Sequence, residues 1–288
     1  MTARILDGRA LAAELRESLT KRAAALRSTG VEPRLLVAMV GEDESSLAYV
    51  RGMKSLGGKI GVDVAIDLLP VTSDDNGVRA ALERYDADPA IHGIILQQPL
   101  PQHLAIRKIA GAMPARKDVD GANPYNQGRL AFASGARFIP ATPAAVMLLL
   151  ERSSAWPLNG RDVTVIGRSN VVGLPVALLI MAQGATVTVT HKETANIKDH
   201  VRRAEVVVVA AGAPHLVDAT WLRPGAVVID VGTTVVDGKL LGDVDFESAS
   251  TVAGELTPVP GGVGPVTNVA LMANVLAAAE SLTTDARR

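Results

Sequence analysis

The sequence predicts an α/β fold in two domains, and three observations carry that prediction. Short β-branched runs alternate with longer helical patterns from end to end. The runs are apolar enough to be buried on both faces, as in parallel sheets covered by helices on each side. The polar, Gly- and Pro-containing stretch 117–143 offers no long strand or helix, so it is the natural place for a domain boundary and a cleft.

In the first half the candidate strands are 35–40, 64–69 and 91–96, separated by helical patterns near 9–28, 45–60 and 75–86. These make two successive βαβ crossovers. In the second half the runs 163–166, 186–190, 206–210 and 227–231 form a Rossmann-like series. After Pro265 the run 266–282 reads as one helix that packs back on the first domain. The domains that follow are 1–141 with 266–288, and 142–265.

Composition narrows the partners. The chain has 288 residues, 48% of them hydrophobic, enough for the cores of two ordinary domains. Its 29 basic and 30 acidic residues give a net charge of -1 without a long run of either sign, which argues against nucleic-acid or membrane surfaces. Small-molecule partners are expected. The absence of cysteine excludes disulfides, thiolate nucleophiles and cysteine-ligated zinc, and the five histidines form no H-E-x-x-H pattern, so no metal is expected. The start of the chain turns polar too soon for a signal peptide, and no apolar run approaches the roughly 18 residues of a membrane span. A cytoplasmic protein is expected.

The strand 163–166 runs into Gly167-Arg168-Ser169-Asn170-Val171-Val172-Gly173-Leu174-Pro175 and then an apolar helical pattern to Ala182. Glycines at a strand-to-helix turn let the backbone approach an anion, and the helix N-terminus offers unpaired N–H groups with partial positive charge. The pattern is not G-x-G-x-x-G, and taken alone it also reads as an ordinary tight connection. Arg168 favours the phosphate reading, because a guanidinium at the carboxyl end of a buried strand can pair bidentately with phosphate. The next strand ends in Thr190-His191-Lys192-Glu193-Thr194. Lys192 with Arg168 favours a ribose 2′-phosphate and hence NADP. Lys192 also reads as a solvated surface lysine, and Glu193 keeps NAD open. Two further glycine loops follow buried strands directly, Ala210-Ala211-Gly212-Ala213-Pro214 and Asp230-Val231-Gly232-Thr233-Thr234. Singly each is an ordinary turn; together, at one sheet edge, they suit a dinucleotide.

Several segments then resemble one family, methylenetetrahydrofolate dehydrogenase/methenyltetrahydrofolate cyclohydrolase, over nearly the whole chain. They are Leu6-Asp7-Gly8, Gly41-x4-Ser46-x2-Tyr49-Val50, Gln97-x-Pro99-Leu100-Pro101, Pro114-x2-Lys117-Asp118-Val119-Asp120-Gly121, Gly167-Arg168-Ser169 and Pro258-x-Pro260-Gly261-Gly262-Val263-Gly264-Pro265. The resemblance implies an N-terminal substrate domain, a C-terminal Rossmann-like NAD(P)-binding domain, a folate cleft between them, and a homodimer associated through the cofactor domains. It places Tyr49 over the pterin and p-aminobenzoyl portion of folate, Asp120 on the pterin, and Gln97 near the reacting carbon. Pro99, Leu100, Gly261, Gly262, Val263 and Gly264 line the cleft. Gly167, Arg168, Ser169, Val171, Gly173, Pro175, His191, Lys192, Ala211, Gly212, Val231, Gly232 and Thr233 take the cofactor.

At the residue level, one of only three tyrosines offers a flat ring for stacking, although a core role stays open for Tyr49. Asp120 before Gly121 also reads as a turn residue. The chain departs from the family at the lysine four residues after the tyrosine and at the basic residue six after it, where it carries Met53 and Ser55. On a helix four residues bring a side chain within about 40° of alignment, whereas five turn it about 140° away, so Lys54 does not substitute unless Gly52 kinks the helix. Gln98 is a second departure, where the family commonly has Leu. Hydride transfer needs positioning rather than a protein base, whereas opening the methenyl ring needs proton transfers. The sequence therefore predicts an NADP-dependent dehydrogenase with weak or absent cyclohydrolase activity. An oxidoreductase on a related one-carbon carrier and a non-catalytic folate-binding paralogue are the alternatives.

Overall fold

A computed structural model describes residues 2–132 and 138–286. In chain order these form β1 (Arg4–Ile5), α1 (Gly8–Ser28), β2 (Arg34–Val40), α2 (Glu44–Ile60), β3 (Asp63–Leu69), α3 (Asp75–Ala87), β4 (Gly93–Leu96), α4 (Ile106–Ile109), α5 (Pro124–Ala131) and α6 (Ala141–Leu150). There follow β5 (Asp162–Ile166), α7 (Gly173–Ala182), β6 (Thr186–Thr190), α8 (Ile197–Arg203), β7 (Val206–Val209), β8 (Val227–Asp230), β9 (Thr234–Val236), β10 (Lys239–Leu241), α9 (Phe246–Ala249), β11 (Glu255–Leu256) and α10 (Val263–Ala286). The chain divides into two compact units, Met1–Ala13 with Thr142–Thr267, and Glu14–Ala141 with Asn268–Arg288.

In the second of these units β2 pairs in parallel with β3 on one side and β4 on the other. The connections are α2 and α3, as the alternation of runs predicts. Each helix begins where an aspartate caps it: Asp43 accepts from the Ser46 N–H and Asp74 from that of Gly77. Gly61 ends α2 in the left-handed region (φ 101°), where a side chain would be strained. The core of this unit includes Leu36, Ala38, Leu82, Ile94 and Ile109. Its three strands fall within two residues of the predicted ones.

The stretch 117–143 holds more structure than the sequence predicts. Pro124 opens the eight-residue α5 behind an Asn123 cap, and α6 begins at Ala141. Residues 133–137 of the stretch lie outside the described residues. Lys117, predicted as part of a polar connection, is buried, and its ammonium donates to the carbonyls of Tyr85, Asp86 and Asp88 at the end of α3. A lysine here completes a helix C-terminus.

In the other unit six strands form an all-parallel sheet in the order β1-β11-β8-β7-β5-β6. The all-valine β7 and its neighbour β8 are buried along their whole length, the central position their composition predicts. β6 is the half-exposed edge. Two of the strands were not predicted: β1 and β11 have two residues each and are joined through Arg4 and Glu255 (2.6 Å). Met1–Ala13 group with this sheet, and Arg4 and Ile5 find their ladder partners at Glu255 and Leu256.

α10 is longer than the predicted 266–282. Its stretch Val263–Thr284 is long and apolar enough to cross a membrane, contrary to the sequence reading, but more than half of it is buried inside the protein. Val269, Met272, Val275, Leu276 and Ala279 are among its buried residues, so the apolar surface serves the core.

Candidate active site

The folate-side candidates gather at the carboxyl ends of β2 and β4. α2 runs through Gly52 without a break. Tyr49 keeps 41% of its surface exposed, while burial at the hydroxyl, with help from the Asp120 charge, pushes its pKa up to about 12. Part of the side chain is thus offered to solvent, with Asp120 near enough for its charge to be felt. Met53 is completely buried, whereas Lys54 is exposed.

Asp120 is half-buried on a turn built by its neighbour. Asp118 is fully buried and its carboxylate accepts from the N–H groups of Ala122 and Asn123 and from Asn126 Nδ2, all at 2.8–2.9 Å. Gly121 (φ 65°) follows, with Pro140 filling the space a Cβ would need. Burial first, and then the Asp118 charge, push the Asp120 carboxyl up to about 7; the N–H of Ala141 opposes them. A carboxyl poised near neutrality beside a phenol can accept a hydrogen bond as an anion or donate one as an acid.

Gln97 continues β4 by donating its N–H to the Ala38 carbonyl, and its side-chain amide donates to the Gln98 carbonyl at 2.7 Å. Ser46, which the sequence reading quoted without a role, is buried and donates to the same carbonyl at 3.4 Å. Gln98–Pro99 is cis. Pro99 and the Gln98 side chain are exposed, whereas Leu100 packs on the core.

The remaining folate candidates, from Gly261 onward, stand in the other unit. Val263 is buried and opens α10, which argues against direct ligand contact. Gly262 lies against Gly8: a Cβ on Gly8 would be 1.8 Å from the Gly262 carbonyl oxygen. Gly262 is itself pressed on Thr257 and Pro258, and Gly261 has φ 120°. Gly264 has open space where a Cβ would be. The Leu6-Asp7-Gly8 motif thus has a packing reason: Asp7 caps α1 through the N–H groups of Arg9 and Ala10, and Gly8 admits the loop.

The cofactor candidates lie at the carboxyl ends of the six-stranded sheet. A Cβ on Gly167 (φ 116°) would be 2.1 Å from the Ala210 carbonyl, and one on Gly173 would be 2.0 Å from that of Gly167. Both glycines are required by close backbone crossings. Pro175 is buried in the first turn of α7, where its missing N–H costs nothing, so it shapes the helix start instead of offering a surface. Arg168, Ser169 and Val171 are exposed. Ser169 Oγ accepts from the Val172 N–H at 3.2 Å. His191 is half-buried, its Nδ1 accepting from Glu193 N–H. Arg168 and Lys192 are exposed and make no hydrogen bond or ion pair among the described residues. Two unpaired cations beside a glycine turn fit a phosphorylated dinucleotide.

The other two loops are organised by buried carboxylates that the sequence reading did not assign. Asp243 Oδ2 accepts from the N–H groups of Ala211 (2.7 Å) and Gly212 (2.8 Å). Asp230 accepts from those of Gly232, Asp243 and Val244. Burial pushes Asp230 up to about 6 against those three bonds, with the Asp243 charge adding to the rise. Val231 is half-buried and Thr233 exposed. The loop amides at 211, 212 and 232 thus point inward, onto Asp243 and Asp230.

Residues 6–120 match the catalytic-domain model of the tetrahydrofolate dehydrogenase/cyclohydrolase family, and residues 140–283 match its NAD(P)-binding domain. The chain belongs to this family. It is 47% identical to bifunctional protein FolD of Bordetella avium, over 97% of this chain and 98% of that one. Among solved structures it resembles the bifunctional FolD dehydrogenase/cyclohydrolase of Campylobacter jejuni (TM-score 0.93, 37% identity, 97% and 99% of the two chains). It is equally similar to the Trypanosoma brucei enzyme complexed with NADP and an inhibitor (TM-score 0.93, 37% identity, 100% of both chains). Five strands of the six-stranded sheet, all but β1, fall within the match to the NAD(P)-binding domain, and Tyr49 and Asp120 stand in the unit that holds most of the catalytic domain.

Proposed function

We propose that this chain oxidises 5,10-methylenetetrahydrofolate to 5,10-methenyltetrahydrofolate with NADP as hydride acceptor, and opens the methenyl ring weakly or not at all. The observation that carries the second half is Met53, a completely buried thioether four residues after Tyr49, with the nearest lysine exposed on another face of α2.

In the oxidation a C–H bond of the bridging methylene breaks and both its electrons leave as hydride, while the lone pair of the adjacent folate nitrogen takes up the positive charge. No proton moves, so the protein has to position and desolvate. NADP, when bound, supplies the acceptor carbon. In this reading Tyr49 stacks on the folate ring system, Asp120 bonds the pterin, Gln97 stands near the reacting carbon, and Arg168 with Lys192 holds the 2′-phosphate. Ring opening is different: water adds to the methenyl carbon and protons must be taken up and released, which a methionine cannot do.

The test is turnover of the purified chain with methylenetetrahydrofolate and NADP, then hydrolysis of methenyltetrahydrofolate alone, beside Met53→Lys. NADPH formation with little hydrolysis, partly restored by the lysine, supports the reading. Hydrolysis that keeps pace with oxidation in the unaltered chain overturns the Met53 argument. Absence of NADPH formation overturns the dehydrogenase.

A homodimer through the NAD(P)-binding units completes the proposal. It is supported by the exposed apolar residues Leu174 and Met181 on α7 and Val189 on the edge strand β6, which together offer an uncovered patch beside an open strand edge. A single monomeric species in sedimentation at micromolar concentration overturns it.

A further inference from the structure

Asp243 stands behind two of the loops on which the proposed dinucleotide lies. It follows β10 and is fully buried. One carboxylate oxygen takes both the Ala211 and Gly212 N–H groups, while its own N–H donates to Asp230 and its carbonyl accepts from Val217. On its other side Gly232 is so close that a Cβ there would lie 2.5 Å from Asp243 Oδ1 and 2.3 Å from its nitrogen. One residue therefore sets the height of the 211–212 turn and limits the approach of the 231–233 turn.

The second oxygen, Oδ1, is buried and has no hydrogen-bond partner among the described residues. Burying this carboxylate carries a desolvation cost, which makes Asp243 a costly residue if its purpose were stability alone. Its distinctive effect is directional. Gly212 (φ 65°) is free of side-chain constraint and has open space around it, so nothing but Asp243 Oδ2 draws its N–H inward.

We propose that Asp243 is a positioning residue for dinucleotide binding, acting through the amides of Ala211 and Gly212 to present the 210–212 and 231–233 turns as a surface of fixed height. The inference rests on the NADP reading above. Without the carboxylate, the two N–H groups turn outward and the surface against which the dinucleotide packs is lost.

The experiment compares unaltered protein, Asp243→Ala and Asp243→Asn. It reads the NADP dissociation constant of the folate-free protein, KM for NADP and for methylenetetrahydrofolate, kcat, and the melting temperature. Losing two charge-assisted bonds corresponds to NADP affinity falling on the order of ten- to a hundredfold in Asp243→Ala. Asparagine, which keeps a neutral acceptor for both N–H groups, is expected to recover most of this and remain roughly three- to tenfold weakened. KM for folate stays within about twofold, and kcat at saturating NADP falls far less than affinity. If the alanine variant does not fold, the asparagine variant decides. NADP affinity within about twofold of the unaltered protein in the variants that fold overturns the proposal. So does a parallel loss of folate and NADP affinity with a lowered melting temperature, which marks a merely structural role. An unaltered chain that binds no NADP overturns the dinucleotide reading itself, a result distinct from normal binding that the variants leave unchanged.

Discussion

Gly8 and Gly262 meet so closely that a Cβ on Gly8 would stand 1.8 Å from the Gly262 carbonyl oxygen. Backbone, not a flexible side chain, is the obstacle, so the 258–262 loop or the start of α1 must move. Gly8→Ala is expected to destabilise by about 2–4 kcal/mol in urea unfolding. Gly52→Ala is the opposite case: mid-helix with open space around it, it is expected to stabilise by about 0.5–1 kcal/mol. Equal effects of the two substitutions would refute the packing account of the Leu6-Asp7-Gly8 motif.

Asp120 gives stability a definite pH dependence. Its folded pKa is about 7, against an ordinary carboxylate value of 3.8, so the folded state binds the proton more tightly than the unfolded chain. By linkage its contribution is most favourable below pH ~4 and is lost as pH rises through about 7. Asp120→Asn is therefore expected to leave the melting temperature nearly unchanged at pH 4 and to raise it above pH 7. A variant less stable than the unaltered chain at pH 8 would show that the carboxylate is compensated in the fold.

Lys117 holds three carbonyls at the end of α3, at 3.1, 2.8 and 2.7 Å. Lys117→Met keeps the apolar stem and leaves those acceptors buried without a donor. A loss of about 2–4 kcal/mol in chemical unfolding is expected. A loss under about 0.5 kcal/mol would mean that water replaces the ammonium.

The unpaired cations Arg168 and Lys192 separate the two dinucleotides. If they hold a 2′-phosphate, Arg168→Ala and Lys192→Ala raise KM for NADP by about tenfold each and leave KM for NAD within about twofold. Equal effects on both cofactors would move the cations to the pyrophosphate.

The sequence by itself determined the elements whose burial is continuous or periodic. β7 was legible as a valine run because a central parallel strand is apolar on both faces. The helical patterns around Val50, Met53 and Ile60, and the separation of Met53 from Lys54, followed from 3.6-residue periodicity. The candidate site was legible where a residue type is rare or oddly placed, as with Tyr49, Arg168 and Met53.

Tertiary structure alone decided what depends on partners distant in the chain. β1 and β11 are two residues long and exist as rungs of the sheet, β1 on β11 and β11 on β8, so no local pattern could reveal them. Asp120 became a carboxyl near neutrality because burial and the Asp118 charge outweigh the hydrogen bond from Ala141. The glycine loops at 212 and 232 read singly as ordinary turns, and only the fold shows that Asp243 and Asp230 take their N–H groups. The physical reason is common to all three: hydrogen-bond direction and desolvation are set by what lies across the fold, and a residue's type fixes only what it can do, not which partner it meets.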